Sequence, residues 1–514
     1  MCSIRAPRPR LWLFCSFWVV GLLCRVSAQT PQVALQGKVL DPTLAPIAGA
    51  RITASLESRS PASSAVSDQK GEFSLLLPPG RYSLKIVADG FVEHSRLMNL
   101  ATTPVTPEIV LEITPHIDAV TVSDSGYQLA ATSSGTKTLT PMRDIPQSVT
   151  VVTQELIRDQ MMMSIGDVVR YVPGITAHQG ENNRDQVIIR GNSSSADFFV
   201  NGVRDDVQYY RDLYNLERVE ALKGPNAMIF GRGGMGGVIN RVTKEAGFAP
   251  LREISLMGGS FGSRRFATDF NQPFNEKAAF RFNGVYENSD SFRDYVGLER
   301  YGLNPTFTIA PSHETKLTLG YEYFNDRRVA DRGIPSFLGR PADTDISTFF
   351  GNPDDSRVRA HVNLGSANIS HQKGALNIRN RTMFGDYDRF YQNYVPGAVT
   401  SDKSQVAISA YNNATQRQNL FNQTDLTYLA TTGRIRHTLL AGVEVGRQLT
   451  DNFRSTGFFN NSALAILAPY ANPTISTPVT YRQSATDADN HLRTNLAATY
   501  IQDQIELSRY VHVT

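Results

Sequence analysis

The residues of this chain that most resemble a chemical motif are the glycines of NAMIFGRGGMGGVIN, residues 226–240. Gly231, Gly233 and Gly236 have the G-x-G-x-x-G spacing of a dinucleotide-binding loop. Such a loop holds a pyrophosphate only where a helix follows it, because the helix N-terminus binds the anion. Residues 238–243 are instead rich in β-branched side chains, which favour a strand. The spacing therefore does not indicate a nucleotide site, and the glycines need a structural explanation.

The histidines and cysteines also form no pattern that would indicate a metal site or a disulfide. The nine histidines form no H-x-x-x-H or H-E-x-x-H pair, and the three cysteines, Cys2, Cys15 and Cys24, all lie near the N-terminus. A mature chain without cysteine has neither disulfides nor thiolate metal sites. Nothing in the sequence therefore predicts a metal ligand set.

The N-terminus has the pattern of an export signal. Arg5, Arg8 and Arg10 precede an apolar run at residues 11–23, and VSA at 26–28 supplies small residues for cleavage. We expect residues 1–28 to be a signal peptide; a short membrane anchor is the alternative. The lack of cysteine beyond it is typical of a bacterial envelope protein. The formal net charge of +3 implies no strongly charged partner such as a nucleic acid.

Residues 32–111 predict a small β-sandwich. Short alternating strands are separated by Asp-Pro, Lys-Gly and Pro-Pro-Gly turns. The segment resembles the carboxypeptidase regulatory-like domain, which is non-catalytic. The residues that carry this resemblance are Gly37-Lys38-Val39, Gly49-Ala50, Gly71-Glu72-Phe73, Pro79-Gly80-Arg81-Tyr82 and Gly90-Phe91.

Residues 112–140 read as a linker. The surrounding sequence is rich in Thr, Ser, Gly and Ala, a composition that buries too little apolar area to order itself. Within it, residues 117–122 form a strand-prone run that suits either an edge strand or pairing with a partner's sheet.

A compact α+β unit is predicted for residues 141–246. Residues 149–152 predict a strand, and Thr153 is the expected N-cap of a helix that follows. A second helix is predicted from Ser164 to Tyr171, ending before Pro173-Gly174. Three further strand-and-turn runs complete the unit.

Residues 251–514 predict the strands of a transmembrane antiparallel barrel. Leu317, Leu319 and Tyr321 share one face of a strand, opposite Thr318 and Glu322. Runs of this kind recur with polar turns or long loops between them, which favours a barrel over a soluble sandwich. We count about ten or eleven strands, roughly half of those in a barrel of about 22. We therefore expect the barrel part to be incomplete, and the fold class to be mainly β.

Three stretches identify a family. DIPQSVTVVTQELI, IIRGN and FFVNGVRDDVQYYRDLYNLERVEALKGPNAMIFGRGGMGGVINRVTK are similar to hallmark stretches of the plug domain of TonB-dependent outer-membrane receptors. The last stretch looks most like the catecholate ferric-siderophore branch. The resemblance implies a receptor and not an enzyme. It would lie in the outer membrane and be driven by the periplasmic TonB protein with its inner-membrane complex. Ferric iron would enter only inside the transported chelate, with no cofactor of the protein's own.

The resemblance also implies roles for particular residues. In such plugs the glycines at 231, 233 and 236 carry the chain through tight turns. Charged positions of the motifs would form a plug–barrel ionic network, with simple surface pairing as the alternative; they are Arg190, Glu217, Arg218, Glu220 and Arg232. The segment that pairs with TonB, the TonB box, would be Ile117, Asp118, Ala119, Val120, Thr121 and Val122.

Ligand contacts are expected on loops at the plug apex. Guanidinium groups and tyrosine rings match an anionic, aromatic ferric catecholate by charge and stacking. The candidates, for which turn packing or rim charge is the alternative, are Arg184, Arg204, Tyr209, Tyr210 and Arg211. Other functions stay open at this point: uptake of a glycan, of cobalamin or of another siderophore class, a surface adhesin, or an inactive truncated fragment.

Overall fold

The computed structural model describes most of the chain after the N-terminus. It covers residues 32–514 except 42–43, 57–58, 89–90, 92–93, 101–105, 112–118, 122–125, 179, 225, 232–233, 235 and 509–510. The predicted signal peptide, and with it all three cysteines, lies outside the described residues.

The N-terminal segment consists of two antiparallel-rich sheets around one apolar core. Alternate residues of its strands point inward, as in Glu72–Leu77, where exposed and buried positions alternate. One sheet has the order β4-β1-β7 and the other β3-β2-β5-β6. Leu35, Ile52, Leu84 and Ile86 lie at the centre of the core. The strands are β1 (Val33–Leu40), β2 (Arg51–Leu56), β3 (Arg59–Val66), β4 (Glu72–Leu77), β5 (Gly80–Val87), β6 (His94–Leu100) and β7 (Glu108–Val110).

The α+β unit is built on a five-stranded sheet of order β11-β17-β18-β15-β16. The remaining strands form two three-stranded sheets of order β10-β9-β8 and β12-β13-β14. The strands are β8 (Ala119–Thr121), β9 (Leu129–Thr132), β10 (Thr140–Pro141), β11 (Ser148–Thr153), β12 (Ile175–His178), β13 (Gln186–Ile189), β14 (Asn192–Ser194), β15 (Phe198–Val200), β16 (Val203–Arg204), β17 (Leu216–Lys223) and β18 (Gly237–Thr243).

Three short α-helices accompany these strands: α1 (Gln154–Asp159), α2 (Ile165–Val169) and α3 (Ala227–Phe230), with 3₁₀ turns at Met142–Asp144 and Gly180–Asn182. Thr153 caps α1 as expected, because its hydroxyl accepts from the N–H of Leu156 at 3.4 Å. Ser164 and Asp167 form a capping box at α2. The caps fix where both helices begin, and their apolar faces pack on the sheet.

Part of the predicted linker is ordered, so the expectation that its composition prevents order is wrong for residues 126–140. Thr132, Thr136 and Thr140 are buried in this segment. Their hydroxyl groups find partners: Thr132 donates to Glu220 at 2.8 Å, and the Oγ1 atoms of Thr136 and Thr140 lie 2.7 Å apart. Satisfied hydrogen bonds, and not apolar burial, allow these polar residues to pack beneath the sheet.

The rest of the chain forms one large antiparallel sheet. Its main path is β19-β20-β21-β22-β23-β26-β27-β28-β29-β32-β33, and it is not closed into a ring. The strands are β19 (Leu251–Gly258), β20 (Arg264–Asn275), β21 (Ala278–Asp290), β22 (Gly297–Ser312), β23 (Thr315–Arg328), β24 (Ser336–Phe337), β25 (Arg340–Pro341), β26 (Arg357–Lys373), β27 (Leu376–Val399), β28 (Gln405–Thr432), β29 (Ile435–Phe459), β30 (Ala465–Pro469), β31 (Val479–Arg482), β32 (Asp489–Ser508) and β33 (Val511–Val513).

The two faces of this sheet differ as the alternation predicts. Leu319 and Tyr321 are exposed on the outer face, whereas Thr318 and Glu322 are buried on the inner face, against the α+β unit. Apolar-out and polar-in is the pattern of a membrane barrel strand. No helix in the described part of the chain is long and apolar enough to cross a membrane.

The two ends of the sheet also differ. Two-residue turns join β20 to β21, β22 to β23, β26 to β27 and β28 to β29. We call this the tight-turn end. Longer connections, such as residues 329–356 and 460–488, lie at the opposite edge, the long-loop end.

The glycine-rich stretch forms turns at the end of the α+β unit. A strand, β18, follows it. Gly231 ends α3 with φ +77°, a conformation that favours glycine. A Cβ atom at Gly236 would lie 2.3 Å from the carbonyl oxygen of Ile189, so this glycine permits two backbones to approach closely. Gly233 lies outside the described residues.

Replacing Gly236 with alanine should therefore destabilise the α+β unit. The new methyl group must push two backbone segments apart, at a cost of roughly 2 kcal/mol or more. The free energy of unfolding in detergent measures this, with Gly365→Ala as the control, because a Cβ atom there meets nothing within 4 Å. Equal stability of the two variants would contradict the close approach.

Candidate functional site

A buried cluster of four charges joins the α+β unit to the barrel sheet. Asp212 lies in the loop between β16 and β17, and its carboxylate binds Arg265 of β20 at 2.6 Å and Arg300 of β22 at 3.1 Å. Both guanidinium groups also bind Glu287 of β21, and the distance from Arg300 to this carboxylate is 2.7 Å. All four side chains are almost fully buried. The two positive and two negative charges compensate each other, so the cluster can stay buried while it links the loop to three strands of the barrel sheet.

The Asp212 side chain also binds the backbone of its own loop. The Asp212 carboxylate accepts from the N–H groups of Leu213 at 2.7 Å and Tyr214 at 3.0 Å. Burial raises the pKa of this carboxyl, but Arg300 and Arg265 hold it well below its usual range. Asp212 is therefore charged at neutral pH.

A second buried cluster surrounds Arg211. Its guanidinium donates to Asp205 at 3.0 Å and to Asp185 at 3.5 Å, and its remaining donors go to the carbonyl oxygens of residues 205, 207 and 209. Asp205 also accepts from Arg241 at 2.7 Å and from the Tyr387 hydroxyl of β27 at 2.9 Å. Burial raises the pKa of Asp205, but the two arginines bring it below its usual value. This cluster too reaches the barrel wall.

Ion pairs near the tight-turn end complete the boundary. Lys244 binds Asp269 of β20 at 2.9 Å, and Arg281 of β21 binds the same carboxylate at 2.7 Å. Lys316 of β23 binds Glu245 at 2.7 Å. The barrel sheet therefore meets the α+β unit through ion pairs at several levels.

The residues expected to form this ionic network lie in several places. Glu217 approaches the barrel residue Arg281, at 4.0 Å. Arg218 and Glu220 bind each other at 2.8 Å within β17. Arg190 is exposed, with its guanidinium beside Gly224. Arg232 lies outside the described residues. Asp212 and Asp205 were not identified from the sequence, because their barrel partners are distant in the chain.

The long-loop end of the α+β unit, its apex, carries a third cluster. Glu181 binds Arg184 at 2.8 Å and Arg332 of the long connection at 3.2 Å, and the Tyr411 hydroxyl of β28 donates to it at 3.1 Å. Burial raises the pKa of Glu181, yet Arg184 and Arg332 lower it to about 2. We call Glu181, Arg184, Arg332 and Tyr411 the apex cluster.

More arginines and tyrosines adjoin the apex cluster. Arg389 of β27 donates to the Gln208 carbonyl at 3.1 Å, and its guanidinium carbon lies 5.2 Å from the centre of the Tyr391 ring. The guanidinium of Arg328 stacks on Tyr210 at 4.0 Å. Sequence reasoning missed these barrel residues. The signal that could have found them is Arg or Tyr at inward positions close to the long loops.

The five predicted ligand contacts fall into two groups. Arg184 and Tyr210 are partly exposed at the apex. Arg204, Tyr209 and Arg211 are buried instead. The Arg204 guanidinium lies 5.1 Å from the Phe199 ring, and Tyr209 donates to Asp205 at 3.1 Å. Ligand contact by Arg211 would require its internal hydrogen bonds to break first.

The predicted TonB box is described only in its centre. Ala119–Thr121 forms β8, which pairs antiparallel with β9 and lies at the edge of the sheet β10-β9-β8. An edge strand presents unpaired backbone groups on one side. Ile117, Asp118 and Val122 lie outside the described residues.

No metal centre is found in the part of the chain that the structure describes, where His, Cys, Asp and Glu side chains form no group of three that could hold an ion.

Two family models match the chain. The TonB-dependent receptor plug domain matches residues 141–238, and the carboxypeptidase regulatory-like domain matches residues 34–113. Both resemblances drawn from the sequence are confirmed. Hereafter the α+β unit is called the plug.

Two curated relatives are named as siderophore receptors. The probable TonB-dependent siderophore receptor PiuA of Acinetobacter baumannii is 28% identical over 406 residues, which cover 73% of this chain and 54% of PiuA. The catecholate siderophore receptor Fiu of Escherichia coli K12 is 28% identical over 390 residues, covering 69% of this chain and 51% of Fiu. The chain thus spans about half the length of these relatives.

Solved structures agree on the fold. The ferric-catecholate import receptor Fiu of E. coli K12, in its open form, is 26% identical with a TM-score of 0.63, over 72% of this chain and 58% of that chain. The siderophore receptor PiuA of A. baumannii is 24% identical with a TM-score of 0.65, over 72% of this chain and 56% of that one. The predicted fold class is confirmed.

The variant Asp212→Asn should loosen the plug. Removing one anion leaves two buried arginines with Glu287 alone, and breaking a buried pair costs about 3 kcal/mol. The free energy of unfolding in detergent measures the loss, with the exposed Asp354→Asn as the control. A loss as small as that of the control would show that the cluster does not hold the plug.

Proposed function

We propose that this chain, which contains a TonB-dependent receptor plug and is homologous to catecholate siderophore receptors, acts in the outer membrane in the uptake of a ferric catecholate. The observation that carries the proposal is the apex cluster with its neighbouring arginines and tyrosines. These residues lie at the long-loop end, which in outer-membrane barrels is the end that faces the cell exterior.

The chemistry of the apex suits such a ligand. A ferric catecholate is anionic at its oxygen atoms and aromatic around its rim. Arginines on both sides of the boundary, Arg184 and Arg332, offer planar donors to the oxygens. The partly exposed ring of Tyr210, which stacks on Arg328, would pack against the ligand's rings, while the buried Tyr411 holds Glu181 through its hydroxyl group. Iron would be held by the chelate and would need no ligand from the protein.

Ligand binding would act on Glu181 through competition. In the described state Glu181 occupies both arginines. An anionic chelate that takes their donors would release this carboxylate from the barrel residue Arg332. Binding at the apex would therefore weaken one plug–barrel contact, which is a direct way to report an occupied site through the plug.

Energy must come from outside the outer membrane, which has neither nucleotide nor an ion gradient of its own. We assign the coupling to TonB, which would add a strand to the edge of β8. Backbone hydrogen bonds make such pairing tolerant of side-chain identity. The chain would be a transporter, with no catalytic step.

Replacing Arg332 with glutamine should weaken binding of an iron(III) complex of a hexadentate tris-catecholate. Losing one charge-assisted contact raises Kd about tenfold or more. Equilibrium binding to the detergent-solubilised protein measures this. Arg359→Gln is the matched control, because Arg359 is exposed on the outer face of β26. Unchanged affinity in Arg332→Gln and in Arg184→Gln would remove the apex from the proposal.

Replacing Val120 with proline should abolish uptake but leave ligand affinity unchanged. Proline lacks an N–H group and therefore disrupts strand pairing. The control Val120→Thr keeps the N–H group and the ability to pair as a strand. Uptake and binding of the radio-iron chelate by intact cells separate the two effects. Full uptake by the proline variant would place the coupling segment elsewhere.

A further inference from the structure

A large cavity lies between the plug and the barrel sheet at the tight-turn end, away from the apex. Its volume is about 510 Å³, within the range of small-molecule sites. Lys137 of the segment before the plug lines one side with the plug residues Glu217 and Arg218. Strands between β21 and β29 line the other side, with Arg281 and Arg379 among their residues. The ligand site proposed at the apex does not include this space.

Cations dominate the lining. Six cations line the cavity, and three acidic residues are found among its described lining; the cations are Lys137, Arg218, Arg281, Lys316, Arg379 and Arg381, and the acids are Glu217, Glu245 and Asp425. Other carboxylates that pair with these cations, such as Glu220 and Asp269, do not line it. The surface that a ligand would meet is therefore cationic, although the surrounding ion pairs offset much of the charge.

The excess of positive over negative charge is greatest in one corner of the cavity, around Asp425. Lys137, Arg379 and Arg381 surround Asp425, which binds Arg379 at 3.3 Å. Arg379 also donates to the Lys137 carbonyl at 2.8 Å, and the Lys137 amine lies 4.5 Å from the centre of the Tyr500 ring. Burial lowers the pKa of Lys137 to about 8, with Arg381 and Arg379 acting in the same direction against Asp425 and Glu444. An anion would stabilise the charged form of this amine.

Smaller, separate spaces lie beside the cavity. Asn201 and Arg381 also line two smaller spaces along the plug–barrel boundary, one of which reaches Glu322. Glu322 accepts from the Tyr214 hydroxyl at 3.3 Å. These separate spaces share lining residues with the cavity, and one of them reaches the level of the buried ionic clusters.

We propose that this cavity is a second anion-binding site, which receives the same chelate on its way from the apex to the tight-turn end. The inference rests on the proposed function. Aliphatic lining from Leu139 and Leu429, beside the cations, suits a ligand with both anionic oxygens and apolar rings.

The test separates binding from uptake. Intact cells carry Lys137→Gln, Lys137→Glu or Lys137→Arg and receive the radio-iron complex of a hexadentate tris-catecholate. We expect surface affinity to stay unchanged in all three, because the apex is intact. Initial uptake should fall severalfold for glutamine, further for glutamate, and recover for arginine. Lys373→Gln is the control, since Lys373 is exposed at the same end of the sheet without lining the cavity.

A second measurement distinguishes a site for the chelate from a site that binds any small anion. Isothermal titration of inorganic phosphate into the solubilised protein should show no binding that depends on Lys137. Phosphate binding lost in Lys137→Gln, with uptake unchanged, would overturn the assignment to the chelate. Uptake equal in all Lys137 variants contradicts the second site alone. Failure of wild-type cells to bind the chelate contradicts the proposed function and this site with it.

Discussion

Buried ion pairs between two polar surfaces hold the plug in the barrel. The inner faces of the barrel strands are largely polar, and the apolar contacts that cross the boundary, such as Val207 and Tyr214 with Phe324, form separate small clusters and not one continuous core. Asp212 with Arg265, Glu287 and Arg300, and Asp205 with Arg211, Arg241 and Tyr387, meet this constraint. Asp212 and Asp205 each accept from groups of the plug and from a side chain of the barrel sheet, so their charges are compensated.

Such a boundary suits the plug movement that the proposed function requires. Apolar surfaces that separate in water lose the energy of burial, whereas charged groups that separate can be hydrated. The apex cluster, the buried clusters and the cationic cavity lie one below another along this boundary. An anion that moves between them would exchange one set of cationic donors for the next. The strand proposed to pair with TonB, β8, lies at the edge of the sheet β10-β9-β8, just before the residues that match the plug model.

The sequence was sufficient where the determinants are local. The cap at Thr153 and the opposed faces of Leu319 and Thr318 follow from neighbouring residues, and the structure has both. The partners of Asp212 could not be predicted, because they depend on the register of three barrel strands. The burial of Arg211 has the same origin. Residues 126–140 were misjudged because their hydroxyl groups find partners, such as Glu220, that composition does not reveal.

The central claim is that charge pairing across the boundary, and not shape alone, holds the plug. A double-mutant cycle on Asp212→Asn and Arg300→Gln tests it most directly, with the free energy of unfolding in detergent as the readout. Coupled buried charges predict an interaction energy of about 1–3 kcal/mol between the two positions. Effects that add to within about 0.5 kcal/mol would contradict the account.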